Sequence, residues 1–123
     1  MDSINKTLNN IFRDFTVGGK AIPVSFIRYT GDSTTYITYM ESDKDNSYSG
    51  DDEILGYVTY YDFDIYSKGN YLEIMEKVKQ VLKANGWTWQ PSRDSGDLYE
   101  DDTGYYHKTL CFAINKEEVN NNR

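Results

Sequence analysis

The chain has 123 residues, 38% of them hydrophobic, and 20 acidic against 13 basic side chains give a formal charge of −7. Such a length suits one domain, large enough to bury roughly two thirds of the surface its unfolded form exposes. The acid excess argues against non-specific phosphate binding, which needs clustered Lys and Arg, and no apolar run approaches the roughly 20 residues that span a bilayer.

In chain order, Ser3 or Asp2 can cap a first helix whose Ile4, Leu8, Ile11, Phe12 and Phe15 share one face, with Gly18 and Gly19 as its expected stop. Residues 22–29 read as a strand carrying Ile22, Val24 and Phe26 on one side, and Pro23 sits near its start, where a missing N–H costs least. A turn at 30–33 containing Gly31 and Asp32 leads to a second strand over 34–41, and the two are expected to pair as a hairpin. Residues 43–53 are acidic and polar and read as a solvated loop. Between 55 and 65 the odd positions are Leu55, Tyr57, Thr59, Tyr61, Phe63 and Ile65, while the even ones include Gly56, Asp62 and Asp64. That alternation predicts a strand with one buried and one wetter face.

Lys68, Gly69 and Asn70 break the alternation, and a period near 3.6 replaces it. Asn70 with Glu73 resembles a capping box, Leu72, Met75, Val78 (or Lys79), Val81 and Leu82 form an apolar stripe, and Gly86 supplies a left-handed stop. Lys77, Lys79 and Lys83 favour the negative end of that helix. Residues 87–90 read as a short strand and 91–102 as a second acidic loop. A last strand over 105–114 places Tyr106, Leu110, Phe112 and Ile114 on one face. The expectation is one α+β domain over 1–116, a mainly antiparallel sheet of four to five strands with two helices in the order α-β-β-β-α-β(-β). The tail from Lys116 is expected to fray, with 117–123 disordered.

Chemistry is harder to find. The single cysteine, Cys111, rules out an internal disulfide framework, so a reducing compartment suffices; the first residues also lack a signal peptide's charged-then-apolar layout. Cys111 and His107 resemble a nucleophile–base pair, but four residues along a strand separate their α-carbons by about 13 Å. Asp62 and Asp64 share a strand face about 6.6 Å apart, which permits acid–base or metal chemistry, although a solvated strand face is the simpler reading. Asp43, Asp45, Ser47, Ser49 and Asp51 follow the odd-position spacing of a calcium loop. The sharp-turn glycine slot there holds Tyr48 and the bidentate Glu slot holds Ile54, so the comparison fails. The 12 tyrosines suit a half-wet sheet or an assembly interface, and base stacking lacks its accompanying cationic groove. No catalytic, cofactor-binding or metal-ligating residue is assigned, and no enzyme is expected; a carboxylate enzyme built on Asp62 and Asp64 is the remaining exception.

Three segments taken in order carry a resemblance. Tyr60-Tyr61-Asp62-Phe63-Asp64-Ile65-Tyr66-Ser67-Lys68, the helix ending in Asn85-Gly86-Trp87, and Tyr99-Glu100-Asp101-Asp102-Thr103-Gly104-Tyr105-Tyr106-His107-Lys108 resemble the tail-terminator or tail-completion proteins of long-tailed bacteriophages. The likeness spans roughly residues 4–115. It implies an α+β subunit of a hexameric ring in the virion that caps the tail tube, meets the major tail tube protein and presents a surface to head-completion or connector proteins. The chain would be made in the bacterial host cytoplasm, without contact with a membrane, and could be monomeric in isolation. Six copies at −7 each would carry −42, so an acidic lumen would let DNA pass as cargo without sticking. The interaction residues expected from the acidic loops and tyrosine-rich edges are Tyr48, Asp51, Asp52, Tyr57, Tyr60, Asp97, Tyr99 and Asp101. A head–tail neck adaptor is the alternative within the same class. A small acidic host-protein-binding module is the alternative from another.

Overall fold

Two long neighbouring strands form the spine of the molecule, and the alternating segment is one of them. The computed structural model describes residues 3–50 and 53–117. Its elements are α1 (Ile4–Ile11), β1 (Thr16–Val17), β2 (Lys20–Ala21), β3 (Val24–Phe26), β4 (Thr35–Gly50), β5 (Glu53–Ser67), α2 (Leu72–Ala84), β6 (Thr88–Trp89), β7 (Leu98–Glu100) and β8 (Tyr105–Glu117). The main sheet runs β3-β4-β5-β8-β6 with β7 also on β8, and β1-β2 make a separate ribbon. Every pairing is antiparallel except β3 with β4, so the fold is α+β.

Period-two alternation decides which face is dry. Ile37 and Tyr39 of β4, Tyr61, Phe63 and Ile65 of β5, and Leu110 and Phe112 of β8 are buried in one cluster. Against them pack Leu8, Phe12 and Phe15 from the α1 side and Ile74, Val78 and Leu82 of α2. Trp87 closes this layer edge-on to Tyr61 and Phe63, with ring centroids 5.5 and 5.9 Å away. Two tyrosines in an apolar layer need partners for their hydroxyls, and α1 supplies both. Tyr61 Oη donates to Asn5 Oδ1 at 2.8 Å, and Tyr39 Oη donates to the Asn9 side-chain oxygen. Ser3 caps α1 as the sequence implies, its Oγ accepting from Lys6 N–H at 3.1 Å.

Several expectations are corrected. The first helix stops at Ile11, since Phe12 takes the C-cap, and Gly18 and Gly19 instead turn the β1–β2 ribbon with φ of 60° and 80°. Only Val24–Phe26 of the expected strand over 22–29 forms, and it lies parallel to β4, with Val24 opposite Ile37. The hairpin fails because the chain reverses early. Arg28 N–H donates to the Phe26 carbonyl at 2.7 Å around Ile27 at φ 66°, a three-residue turn, and the loop returns to start β4 beside β3.

The acidic segment 43–53 is not a loop. Its described residues extend β4 and β5 into one long hairpin, with register shifts between Glu41 and Asp43 and around Tyr48. Within the second acidic segment, Pro91–Arg93 form one 3-10 turn and Leu98–Glu100 form β7. On α2 the expected Val78 and Leu82 are buried, with Met75 and Val81 packed against the core, whereas Leu72 is exposed and Ile74 takes its place on the buried line. Asn70 Oδ1 does accept the Leu72 N–H at 2.9 Å, and Gly86 takes φ 89° as the left-handed stop. Tyr106, expected on the buried face, is exposed, and β8 continues through Lys116 to Glu117, into the segment expected to fray. Residues 118–123 lie outside the described part of the chain.

Candidate functional site

The sheet face opposite the helices collects the polar and ionisable side chains that the alternation sends there. Tyr36, Tyr66 and His107 sit on adjacent strands in register, and their rings stack: Tyr36–Tyr66 at 4.9 Å and Tyr66–His107 at 4.3 Å, with Tyr29 stacked on Tyr36 at 4.7 Å. Asp64 Oδ1 lies 3.0 Å from His107 Nε2 and accepts from Thr109 Oγ1 at 2.5 Å. Asp62 is opposite Cys111. Burial pushes the Asp62 carboxyl above its ordinary range, against a hydrogen bond from Ser42. Burial and then the Asp62 carboxylate push the Cys111 thiol up to about 11. At neutral pH that sulfur is a thiol, not a nucleophilic thiolate.

Residues 90–95 run along the outer edge of β8, with Gln90 N–H donating to the Cys111 carbonyl at 2.8 Å and Ser95 N–H to the Thr109 carbonyl at 3.0 Å. Asp94 Oδ1 accepts Cys111 N–H at 2.8 Å and Asp94 Oδ2 accepts Trp89 Nε1–H at 2.9 Å. The Arg93 guanidinium lies 3.8 Å from the Tyr60 ring centroid, with an Nη1 to Asp43 Oδ2 distance of 3.3 Å. Asp62 and Asp64 do share a face, as the spacing requires, yet each is bonded into this layer. His107 and Cys111 meet different carboxylates and not each other. Among the described residues no group of three or more His, Cys, Asp or Glu side chains is placed to hold a metal ion. Chemically, the layer ties β4, β5 and β8 together.

The interaction residues expected from sequence divide between two places. Tyr57 lies on β5 opposite Asn46 and Lys116, with Lys44 Nζ 5.5 Å from its ring centroid, and Tyr60 lies opposite Asp43 and Ala113. Tyr48 is opposite Gly56, its side chain outside what is described; Asp51 and Asp52 are outside the described residues altogether. At the other end, Asp97 accepts from Tyr71 Oη, Tyr99 is 54% exposed against Tyr106 at 4.8 Å, and Asp101 is exposed in the β7–β8 turn. Tyr57 faces Lys116 and Tyr99 faces Tyr106 on the same strand β8, so the two groups are about 33 Å apart at 3.3 Å per residue.

Sequence reasoning missed two surfaces. One is a groove of about 430 Å³ lined by Lys79, Lys83, Trp87, Thr88, Trp89 and Phe112, with Lys79 Nζ 3.8 Å from the Trp89 ring centroid. Two tryptophans two positions apart on a strand share a face, and that spacing was the available signal. The other is the open flank of β4. Its described partners on that side end at Phe26 opposite Tyr39, so Met40 onward is paired only with β5. No helix among the described residues is long and apolar enough to cross a membrane. The chain matches no protein-family model and no curated protein.

Proposed function

We propose that the chain is a structural building block of a phage virion, ending or completing the tail tube as a ring of subunits and joining it to the head. The observation that carries this reading is the arm formed by β4, β5 and the last residues of β8. Among the side chains described, those of Glu41–Asp45 and Tyr57–Tyr60 lie outside the hydrophobic cluster, yet the strands stay paired through Gly50 and from Glu53 on. Beyond β3 on one side and β6 on the other, the arm has open flanks at Met40–Gly50 and at Ile114–Glu117 among the described residues. Two dissimilar open edges on one arm suit head-to-tail strand addition, the kind of contact a ring needs. The acid run and the register shifts blunt these edges against indiscriminate pairing.

Electron microscopy of particles lacking the chain tests the reading. Over-long tails are the expected outcome for a terminator, whereas normal-length tails without heads assign it to the neck. Mass spectrometry that fails to find the chain in purified particles rejects a virion role altogether.

A further inference from the structure

Charge on this molecule is divided by layer. Residues 3–21 and 68–86, which hold both helices and the ribbon, carry seven Lys or Arg and three acids, a net +4 within a chain of −7. The other described residues carry five basic and thirteen acidic side chains, a net −8. The groove between α2 and β6 lies where the positive layer meets the sheet edge, and its content is specific. Lys79 and Lys83 line it with Trp87, Trp89 and Phe112, Lys79 Nζ lying 3.8 Å from the Trp89 ring centroid and 3.4 Å from Glu76 Oε2, and Trp87 Nε1, fully buried, has no hydrogen-bond acceptor among the described residues. An occupant of such a groove must bring both apolar rings and negative charge.

The β7–β8 hairpin brings both. Leu98, Tyr99 and Tyr106 are large, apolar and exposed on it, and its turn reads Glu100-Asp101-Asp102-Thr103-Gly104. We infer that this hairpin docks into the α2–β6 groove of a second copy, with aromatic rings against Trp89 and the turn carboxylates against Lys79 and Lys83. It cannot reach the groove of its own copy. Tyr99 is opposite Tyr106 while Trp89 is opposite Phe112, about 20 Å further along the same rigid strand at 3.3 Å per residue. A hairpin meeting a groove is a heterologous contact, so each copy keeps one hairpin and one groove for its neighbours. The inference rests on the self-assembling reading above and names which surfaces meet.

Charge exchange tests it. One variant carries Lys79→Glu and Lys83→Glu; the other carries Asp101→Lys and Asp102→Lys. Sedimentation equilibrium at low salt and protein up to about 1 mM, where even weak specific contacts populate, reads self-association. Each variant alone is expected to associate at least about 100-fold more weakly than the original chain, because like charges then face each other. An equimolar mixture is expected to recover association, since each reversed surface now meets its complement on the other variant; recovery also shows that both are folded. The association of the original chain should weaken with salt as screening shortens to about 3 Å at 1 M. Variants that associate as well as the original chain, a mixture that stays dissociated, or an original chain that is monomeric throughout each overturn the docking. A monomer that is nevertheless present in purified particles leaves the virion reading standing, while absence from particles removes that reading whatever the sedimentation shows.

Discussion

Burial makes the charged form of Asp62 costly. Asp64 has His107 and Thr109 within hydrogen-bonding distance, whereas burial raises the Asp62 carboxyl and a second carboxylate nearby adds to the effect. A raised pKa in the folded state means the fold holds that proton more tightly than the unfolded chain does. Stability from this group is therefore greatest at acid pH and is lost as pH rises through the carboxylate range. Asp62→Asn removes the charge and keeps the shape. We expect a gain in stability at pH 7 that shrinks as pH falls through the carboxylate range, read from urea denaturation at several pH values. A variant less stable than the original chain at pH 7 would show that the Asp62 charge is used, contrary to its role in a polar layer that only ties strands together.

At the scale of elements, the reversal at Ile27 decides the topology of the sheet's edge. A β-branched residue at φ 66° is strained, and Ile27 is exposed, so its side chain recovers little by burial. Ile27→Gly is expected to stabilise the chain by about 0.5–1 kcal/mol, and Ile27→Val to leave it unchanged, both measured by thermal unfolding. A loss of stability in the glycine variant would mean that the side chain packs against something outside this fold. This turn also shows why parts of the architecture were not legible beforehand. The alternation at 55–65 and the stop at Gly86 were readable because buried faces and left-handed residues leave a periodic or local mark. Ile27 is among the residues least suited to positive φ, so nothing local announces the reversal, and the Gly31-Asp32 turn suggested a hairpin in its place. Residues 43–53 were misread for a related reason. The acidic and polar residues there leave no apolar period to find, although their backbone pairs as strand. The hydroxyl partners Asn5 and Asn9 were equally hidden, because asparagine one helical turn apart usually marks a wet surface and not the lid of two buried tyrosines.

Across the whole molecule, tyrosine is the residue that binds layer to layer. Tyr61 joins β5 to α1, Tyr66 sits in the ring stack on the opposite face, and Tyr71 reaches from the start of α2 to Asp97. All three phenols are pushed up to about 12: Tyr61 by burial and then Glu41, Tyr66 by burial and then Asp64, Tyr71 by burial and then its bond to Asp97. An unfolded chain would release these protons at about pH 10. Between roughly pH 10 and 12 the folded state therefore binds more protons than the unfolded one, and stability must fall as pH rises through that window. Phenolate absorbance should then titrate in two stages. Tyr61, Tyr66 and Tyr71 belong to the late stage, which is expected only together with loss of secondary structure in circular dichroism. Tyr66→Phe is expected to remove one phenolate from the late stage, while Tyr61 and Tyr71 keep that stage coupled to unfolding. A single transition near about pH 10 with secondary structure intact would mean that these hydroxyls are open to solvent, and that tyrosine does not hold the two faces of the sheet to their neighbours.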